Sequence, residues 1–324
     1  MDEGTVVAVD GASFDVLPGK TLGIVGESGC GKSVTARSIL GILDPPGRIV
    51  GGEIRFRASN GDASERLLDL ATLDPDGAEM RSIRGAEIAL VFQEPMSSFS
   101  PVHTIGTQLT EAIRLHRKVT RGEARRLGVE ALRAVGVPLP EQRIDAYAFE
   151  LSGGLRQRAM IAIALSCDPS LLIADEPTTA LDVTTQAEIL DLLRRLQQRH
   201  RMAIMLITHD LGVVAEMADD VVVMYLGRVA ERASVEDIFH APKHPYTKAL
   251  LASIPSITAA PGEKLATITG SVPHPHNRPQ GCPFHPRCPA FMPGVCDRDT
   301  PRPVTVGPGH EVSCFLYGSG GSEP

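Results

Sequence analysis

The segment Gly26-Glu27-Ser28-Gly29-Cys30-Gly31-Lys32-Ser33 constrains the chain more than any other feature. It follows the apolar run Leu22–Val25 and leads into a helical pattern, so it requires a strand, a tight loop and a helix in that order. Glycines at its fixed positions can take positive φ and let backbone N–H groups curl around phosphate oxygens. The helix N-terminus adds the positive end of its dipole. In such a phosphate-binding loop Lys32 neutralises the β- and γ-phosphates and Ser33 ligates Mg²⁺. A glycine-rich turn before an ordinary helix would explain the glycines, but not strand, spacing and Lys-Ser together. Cys30 sits at a variable position, and its thiol is given no chemical role.

Up to about residue 235, short β-branched runs alternate with helical patterns. Leu22–Val25, Ile88–Phe92, Leu171–Asp175, Ala203–Thr208 and Val221–Tyr225 read as strands apolar on both faces. Helices are expected at Lys32–Leu43 and Thr184–Arg199. The alternation predicts an α/β fold with a largely parallel sheet. One stretch, from about Gly106 to Glu150, is helical and basic (Arg114, Arg117, Lys118, Arg121, Arg125, Arg126) and reads as an inserted helical subdomain. Its charges are read as a solvated helix face rather than a nucleic-acid contact. The net charge of −7 agrees, since it opposes binding to nucleic acid through bulk electrostatics. No apolar run approaches the roughly 20 residues of a membrane span, and the opening residues carry no signal-peptide pattern. A cytoplasmic chain is expected, with its six cysteines reduced or metal-bound rather than in disulfides.

Two further segments carry chemistry. Leu171–Asp175 is a buried strand followed directly by Glu176, which delivers two carboxylates to the sheet edge where open α/β folds bind ligands. Asp175 would support Mg²⁺, directly or through water, and Glu176 would face the attacking water as general base. Ser152-Gly153-Gly154, leading the helical run Leu155-Arg156-Gln157-Arg158, makes a second anion-binding helix N-terminus. One γ-phosphate does not need two such cradles from the same chain, so this one is read as acting on nucleotide held by another subunit.

Beyond about Ala233 the composition shifts, with ten prolines between Ser271 and His310. Such a segment cannot form a regular helical core, and something other than hydrophobic burial is expected to hold it together. Cys282, Cys288, Cys296 and Cys314 lie within it at C-x₅-C-x₇-C-x₁₇-C spacing. Four thiolates suit tetrahedral Zn²⁺ or a [4Fe–4S] cluster, and the residues alone leave both open.

Taken together, these segments resemble the ATP-binding-cassette (ABC) ATPases. The matching pieces are the phosphate loop, Gln93 in Val91-Phe92-Gln93-Glu94-Pro95 (Q-loop), and the signature Leu151–Gln157. Asp175-Glu176 closes the Walker B strand, Ala180-Leu181-Asp182 is the D-loop, and His209 in Thr208-His209-Asp210 is the switch histidine. The resemblance implies ATP held by Gly26, Ser28, Gly29, Cys30, Gly31, Lys32, Ser33, Val34 and Asp175, with Mg²⁺ on Ser33 and Gln93. It implies catalysis by Glu176, His209 and Gln93, and Ser152, Gly153, Gly154 and Gln157 acting on ATP bound by a partner.

Closer still, the chain is similar to the ATPases of oligopeptide/dipeptide importers, the branch that also serves nickel and glutathione uptake. Glu94–Ser98, Pro101–Gly106, Gly153–Arg158, His244-Pro245-Tyr246-Thr247 and the cysteine-rich tail carry this likeness. It implies ATP-driven peptide import, with nickel, glutathione or another small solute as the alternative cargo. The implied partners are two transmembrane permease subunits, a second ATPase (an unlike paralogue, or a second copy) and an extracytoplasmic solute-binding protein. The implied location is the cytoplasmic face of the bacterial inner membrane. The likeness also favours [4Fe–4S] over zinc in the tail. The expected division is a nucleotide-binding domain over 1–235, its helical subdomain at about 106–157, and a C-terminal extension over 236–324. A soluble, non-transport ABC ATPase would usually carry two cassettes or a long coiled-coil insert, and a self-contained exporter needs membrane-spanning helices. Three departures stand out. Leu155 replaces the usual signature Gln or Met, and Ala148-Phe149 stands where relatives often read Pro-His. Met1–Asp10 lacks the aromatic that stacks on adenine in the family, from which a late start of the chain is expected.

Overall fold

The computed structural model describes residues 5–59, 65–94, 98–254 and 268–318. In chain order its main elements begin with β1 (Thr21–Val25), α1 (Lys32–Ile39), β2 (Arg55–Ser59), β3 (Glu65–Asp69), α2 (Ala78–Ile83) and β4 (Ile88–Val91). Next come α3 (Ile105–His116), α4 (Arg121–Ala134), α5 (Pro140–Arg143), α6 (Gly153–Leu165), β5 (Leu171–Asp175), α7 (Val183–His200) and β6 (Ala203–Ile207). The last are α8 (Leu211–Met217), β7 (Asp220–Tyr225), β8 (Arg228–Ser234), α9 (Val235–His240), α10 (Pro245–Ala252), β9 (Val304–Gly307) and β10 (His310–Val312). The chain divides into two units. One takes the residues up to Asp15, Thr21–Thr35 and everything from Ile207 onward; the other takes Val16–Lys20 and Ala36–Leu206.

In the second unit β4 and β5 run parallel, from Ile88 opposite Leu171 to Val91 opposite Ala174, and β6 lies beside β5. All residues of β5 and β6 are buried, as continuous apolar runs demand when both faces are covered. Helix α7 buries Ile189, Leu190, Leu193 and Leu196 on one stripe, the i, i+3, i+4 spacing of an amphipathic helix. The helical insert consists of α3 to α6, entered at the cap Thr104 and cored by Ile105, Leu109, Ile113, Ala124, Leu132 and Ile144. Two of its arginines form ion pairs: Arg117 with Asp168 at 2.6 Å, and Arg125 with both oxygens of Asp145 at 2.8 and 2.7 Å.

In the first unit the strand order is β1-β7-β8-β10-β9. β1 pairs parallel with β7, but β7–β8, β8–β10 and β10–β9 are antiparallel, and β2–β3 in the second unit form a separate antiparallel hairpin. The sheet structure is therefore mixed rather than largely parallel. The missed strands are half-polar (β8 reads RVAERAS) and lack the continuous apolar run that marks a buried parallel strand. Helix α1 stops at Ile39 rather than Leu43. The Gly41 amide bonds Ser38 O and the Ile42 amide bonds Arg37 O, while Gly41 takes φ +61°, the glycine-terminated stop of an α-helix.

The proline-rich tail corrects a second expectation, because hydrophobic burial does hold it. Tyr246, Cys282, Phe284 and Cys296 belong to one core cluster with Val25, Val221, Val223 and Tyr225. Tyr225, Tyr246 and Phe284 meet edge-on or tilted at 4.7 to 5.3 Å between ring centres. Three aromatics supply the apolar area that the proline-rich turns cannot.

Candidate nucleotide site

β1 delivers the phosphate loop at its C-terminal end, and α1 opens at Lys32. Two positions in the loop admit only glycine. Gly26 has φ +151°, and a Cβ there would lie 2.2 Å from Met224 O. Gly31 has φ +98°, and a Cβ would lie 2.6 Å from Ala8 O. The loop is pressed against neighbouring backbone on one side, as a phosphate cradle must be. The Lys32 ammonium donates to Gly26 O at 2.7 Å and Glu27 O at 3.2 Å. Cys30 is buried, and burial pushes its thiol pKa up, which suits an inert packing role. Ser28 and Gly29 are exposed, and Ser33 and Val34 half-buried.

Asp175 is buried at the end of β5, and Glu176 follows half-buried at φ +48°. A left-handed non-glycine residue is uncommon and concentrates at functional sites. Gln93 Nε2 donates to Glu176 Oε2 at 2.9 Å, and the Thr179 hydroxyl donates to the same oxygen at 2.9 Å. The Q-loop glutamine and the proposed base are thus brought together. Thr179 has no signature in the sequence, since a threonine three residues after a carboxylate is ordinary until a turn folds it back. Pro95, Met96 and Ser97 of the Q-loop motif lie outside the described residues.

Ser152 caps α6, its Oγ accepting the Leu155 N–H at 3.4 Å, and it is exposed with Gly153. Gly154 has a packing reason: a Cβ there would lie 2.8 Å from Thr185 Cγ2 on α7. Gln157, by contrast, is 2% exposed. Asp182 caps α7, accepting from the Thr185 amide (2.9 Å) and hydroxyl (2.7 Å), and these bonds hold its carboxyl below the usual range. His209 is exposed at the end of β6, just before the cap Asp210 of α8.

In the tail, burial raises the pKa of Cys282 and Cys314 to about 11 and pushes up that of Cys288. The neighbouring cysteines add smaller upward pushes in all three. Cys282 and Cys296 belong to one hydrophobic cluster, and Cys288 packs against it. Among the described residues, however, no three His, Cys, Asp or Glu side chains are grouped to hold a metal ion, so the expected four-cysteine ligand set is not formed as such.

A strand–glycine loop–helix presenting a buried lysine, with a second strand ending at Asp175 and followed by Glu176, defines a P-loop nucleoside triphosphatase. Known proteins agree. Residues 9–179 match the family model "ABC transporter", and residues 230–296 match "Oligopeptide/dipeptide transporter, C-terminal region". The chain is 48% identical to the dipeptide transport ATP-binding protein DppD of Bacillus subtilis, covering 97% of this chain and 90% of that protein. It is 50% identical to a probable peptide ABC transporter ATP-binding protein, y4tR, of Sinorhizobium fredii, with the same coverage. Among solved structures, a dimeric ATP-binding cassette, MJ0796, bound to ADP and Pi superposes with a TM-score of 0.61 at 26% identity, covering 72% of this chain and 94% of that one. The chain belongs to the ABC transporter family.

Proposed function

We infer that this chain is the ATP-hydrolysing subunit of a dipeptide or oligopeptide ABC import system. The observation that carries the reading is the joining, in one chain, of an ABC cassette to an oligopeptide/dipeptide-transporter C-terminal region. No helix among the described residues is long and apolar enough to cross a membrane, so transport would need permease subunits to carry the solute. We propose two such subunits, a second ATPase (an unlike paralogue or another copy) and an extracytoplasmic binding protein, with this chain at the cytoplasmic face of the inner membrane.

The residues divide the labour as follows. The loop amides from Ser28 to Val34 and the Lys32 ammonium hold the triphosphate; Lys32 exchanges its loop carbonyls for phosphate oxygens. Ser33, Gln93 and Asp175 are the Mg²⁺ side, where the ion would screen developing charge. Glu176 takes the proton of the attacking water, with Gln93 and Thr179 aiming its carboxylate, and His209 stabilises the γ-phosphate. Ser152 and the amides of Gly153 and Gly154 serve ATP on the partner; the burial of Gln157 supports a positioning part in α6. Asp182 orders α7 beside that signature. We also propose 1–235 as the nucleotide-binding domain, with 106–157 its helical subdomain, and 236–324 as the extension.

For the extension we propose Cys282, Cys288, Cys296 and Cys314 as ligands of a [4Fe–4S] cluster, with zinc the alternative. Four cysteines within one proline-rich segment support a metal centre there, and the likeness to peptide-importer ATPases favours the cluster over zinc. Bound, the cluster would cross-link the tail.

Uptake of a labelled dipeptide by cells lacking the gene tests the transport reading. It should return with the native chain and stay absent with Lys32→Ala. Restored nickel or glutathione uptake without peptide uptake would overturn the cargo.

A further inference from the structure

Every polar group of Glu27, the first variable position of the phosphate loop, is engaged. Its amide donates to the hydroxyl of the fully buried Tyr246 at 2.9 Å. Its carbonyl accepts from the Cys30 amide at 3.3 Å and from the Lys32 ammonium at 3.2 Å. Its carboxylate is gripped by Arg287, Nη1 to Oε2 at 2.6 Å and Nη2 to Oε1 at 3.0 Å. Arg287 comes from the cysteine-rich tail some 260 residues on, and its side chain is only 4% exposed against 25% for Glu27. The guanidinium is also fixed independently of Glu27. Its Nε donates to Thr269 O at 3.1 Å, Nη1 to the Tyr225 hydroxyl at 3.3 Å, and it lies 5.8 Å above the Tyr225 ring.

A carboxylate in this loop is a liability. It repels a polyanion, and it sits on the residue whose carbonyl already holds the lysine that must reach the phosphates. Left unpaired and mostly buried, it would compete for Lys32, whose ammonium already reaches the carbonyl of the same residue at 3.2 Å. A two-pronged pair with a pre-positioned guanidinium removes that competition and fixes the direction in which the carboxylate points.

We propose that Arg287 of the C-terminal extension is a positioning residue for the ATP site: it sequesters the Glu27 carboxylate so that Lys32 is left to the triphosphate. The extension thereby sets the loop's affinity for nucleotide as well as packing against its core. This rests on the reading of Gly26–Ser33 as the ATP site.

The test is ATP binding to the full-length chain by calorimetry, with far-UV circular dichroism as the control for folding. Arg287→Met, which keeps the side-chain length, should weaken binding about tenfold, the scale of losing one charge-assisted pair. When Glu27→Gln is already present, the same substitution should cost less than about twofold. Arg287→Lys, which keeps the charge but not the fork, should fall between Arg287→Met and wild type. An equal loss with and without Glu27→Gln would mean that Arg287 only holds the tail, and the proposal fails. It fails likewise if Arg287→Met binds ATP as wild type does. Should Arg287→Met not fold, the comparison of Arg287→Lys with and without Glu27→Gln decides in the same way. The underlying reading has its own arm: Lys32→Ala binding ATP as tightly as wild type would overturn the ATP site itself, whatever the outcome at Arg287.

Discussion

Glu176 sits on a left-handed backbone with one carboxylate oxygen accepting from both Gln93 and Thr179. A carboxamide in its place could still accept both bonds through its oxygen, so Glu176→Gln should keep the local geometry and remove only the base. Hydrolysis should slow on the order of 10²–10⁴-fold while ATP binding persists. Phosphate release by the assembled transporter measures it, and near-normal turnover would count against the assignment. That Gln93 touches Glu176 was not legible in the chain, because 83 residues separate them and only a folded Q-loop brings the two together.

Among elements, the junction of α6 with α7 is the most exacting. Gly154 approaches Thr185 so closely that a methyl group would intrude on a β-branched side chain with little rotamer freedom. Thr185 is held in turn by the cap Asp182. Gly154→Ala should therefore destabilise the protein by about 1–3 kcal/mol, the usual cost of overpacking. Thr185→Ser, which keeps the hydroxyl and removes the offending Cγ2, should recover most of it. Gly153→Ala, whose nearest neighbour would be Leu181 at 3.8 Å, should cost less. Urea unfolding midpoints check all three; an unchanged midpoint for Gly154→Ala would show that the helices yield. The sequence reads the glycine pair as an anion cradle, but the packing demand on its second member depends on α7 lying alongside.

At the scale of the whole molecule, the proposed metal centre of the tail is open to a direct test. Protein purified without oxygen should carry about four irons and four sulfides per chain and be brown. Serine at any one of positions 282, 288, 296 or 314 should remove the iron, whereas Cys30→Ser and Cys167→Ser should retain it. Cys30 lies in the phosphate loop, and Cys167 sits against Ala112 O. Stoichiometric zinc in colourless protein would replace the cluster with the alternative ion. A metal-free protein with the Tyr225–Tyr246–Phe284 packing intact would leave the tail to hydrophobic burial alone.

The sequence by itself determined the apolar strands, the phosphate loop and the order of the cassette motifs. Each of these is local: a continuous apolar run has nowhere to go but a covered sheet, and G-x-x-x-x-G-K-S carries its chemistry in eight adjacent residues. Tertiary structure alone decided the antiparallel strands β8 to β10, whose half-polar runs are stable only when paired. It alone decided the burial of Tyr246 and Phe284, which reverses the reading of the tail as poorly packing. It alone decided the grip of Arg287 on Glu27. An ion pair between residues 260 apart leaves no trace in periodicity or spacing, because only the fold converts that separation into 2.6 Å.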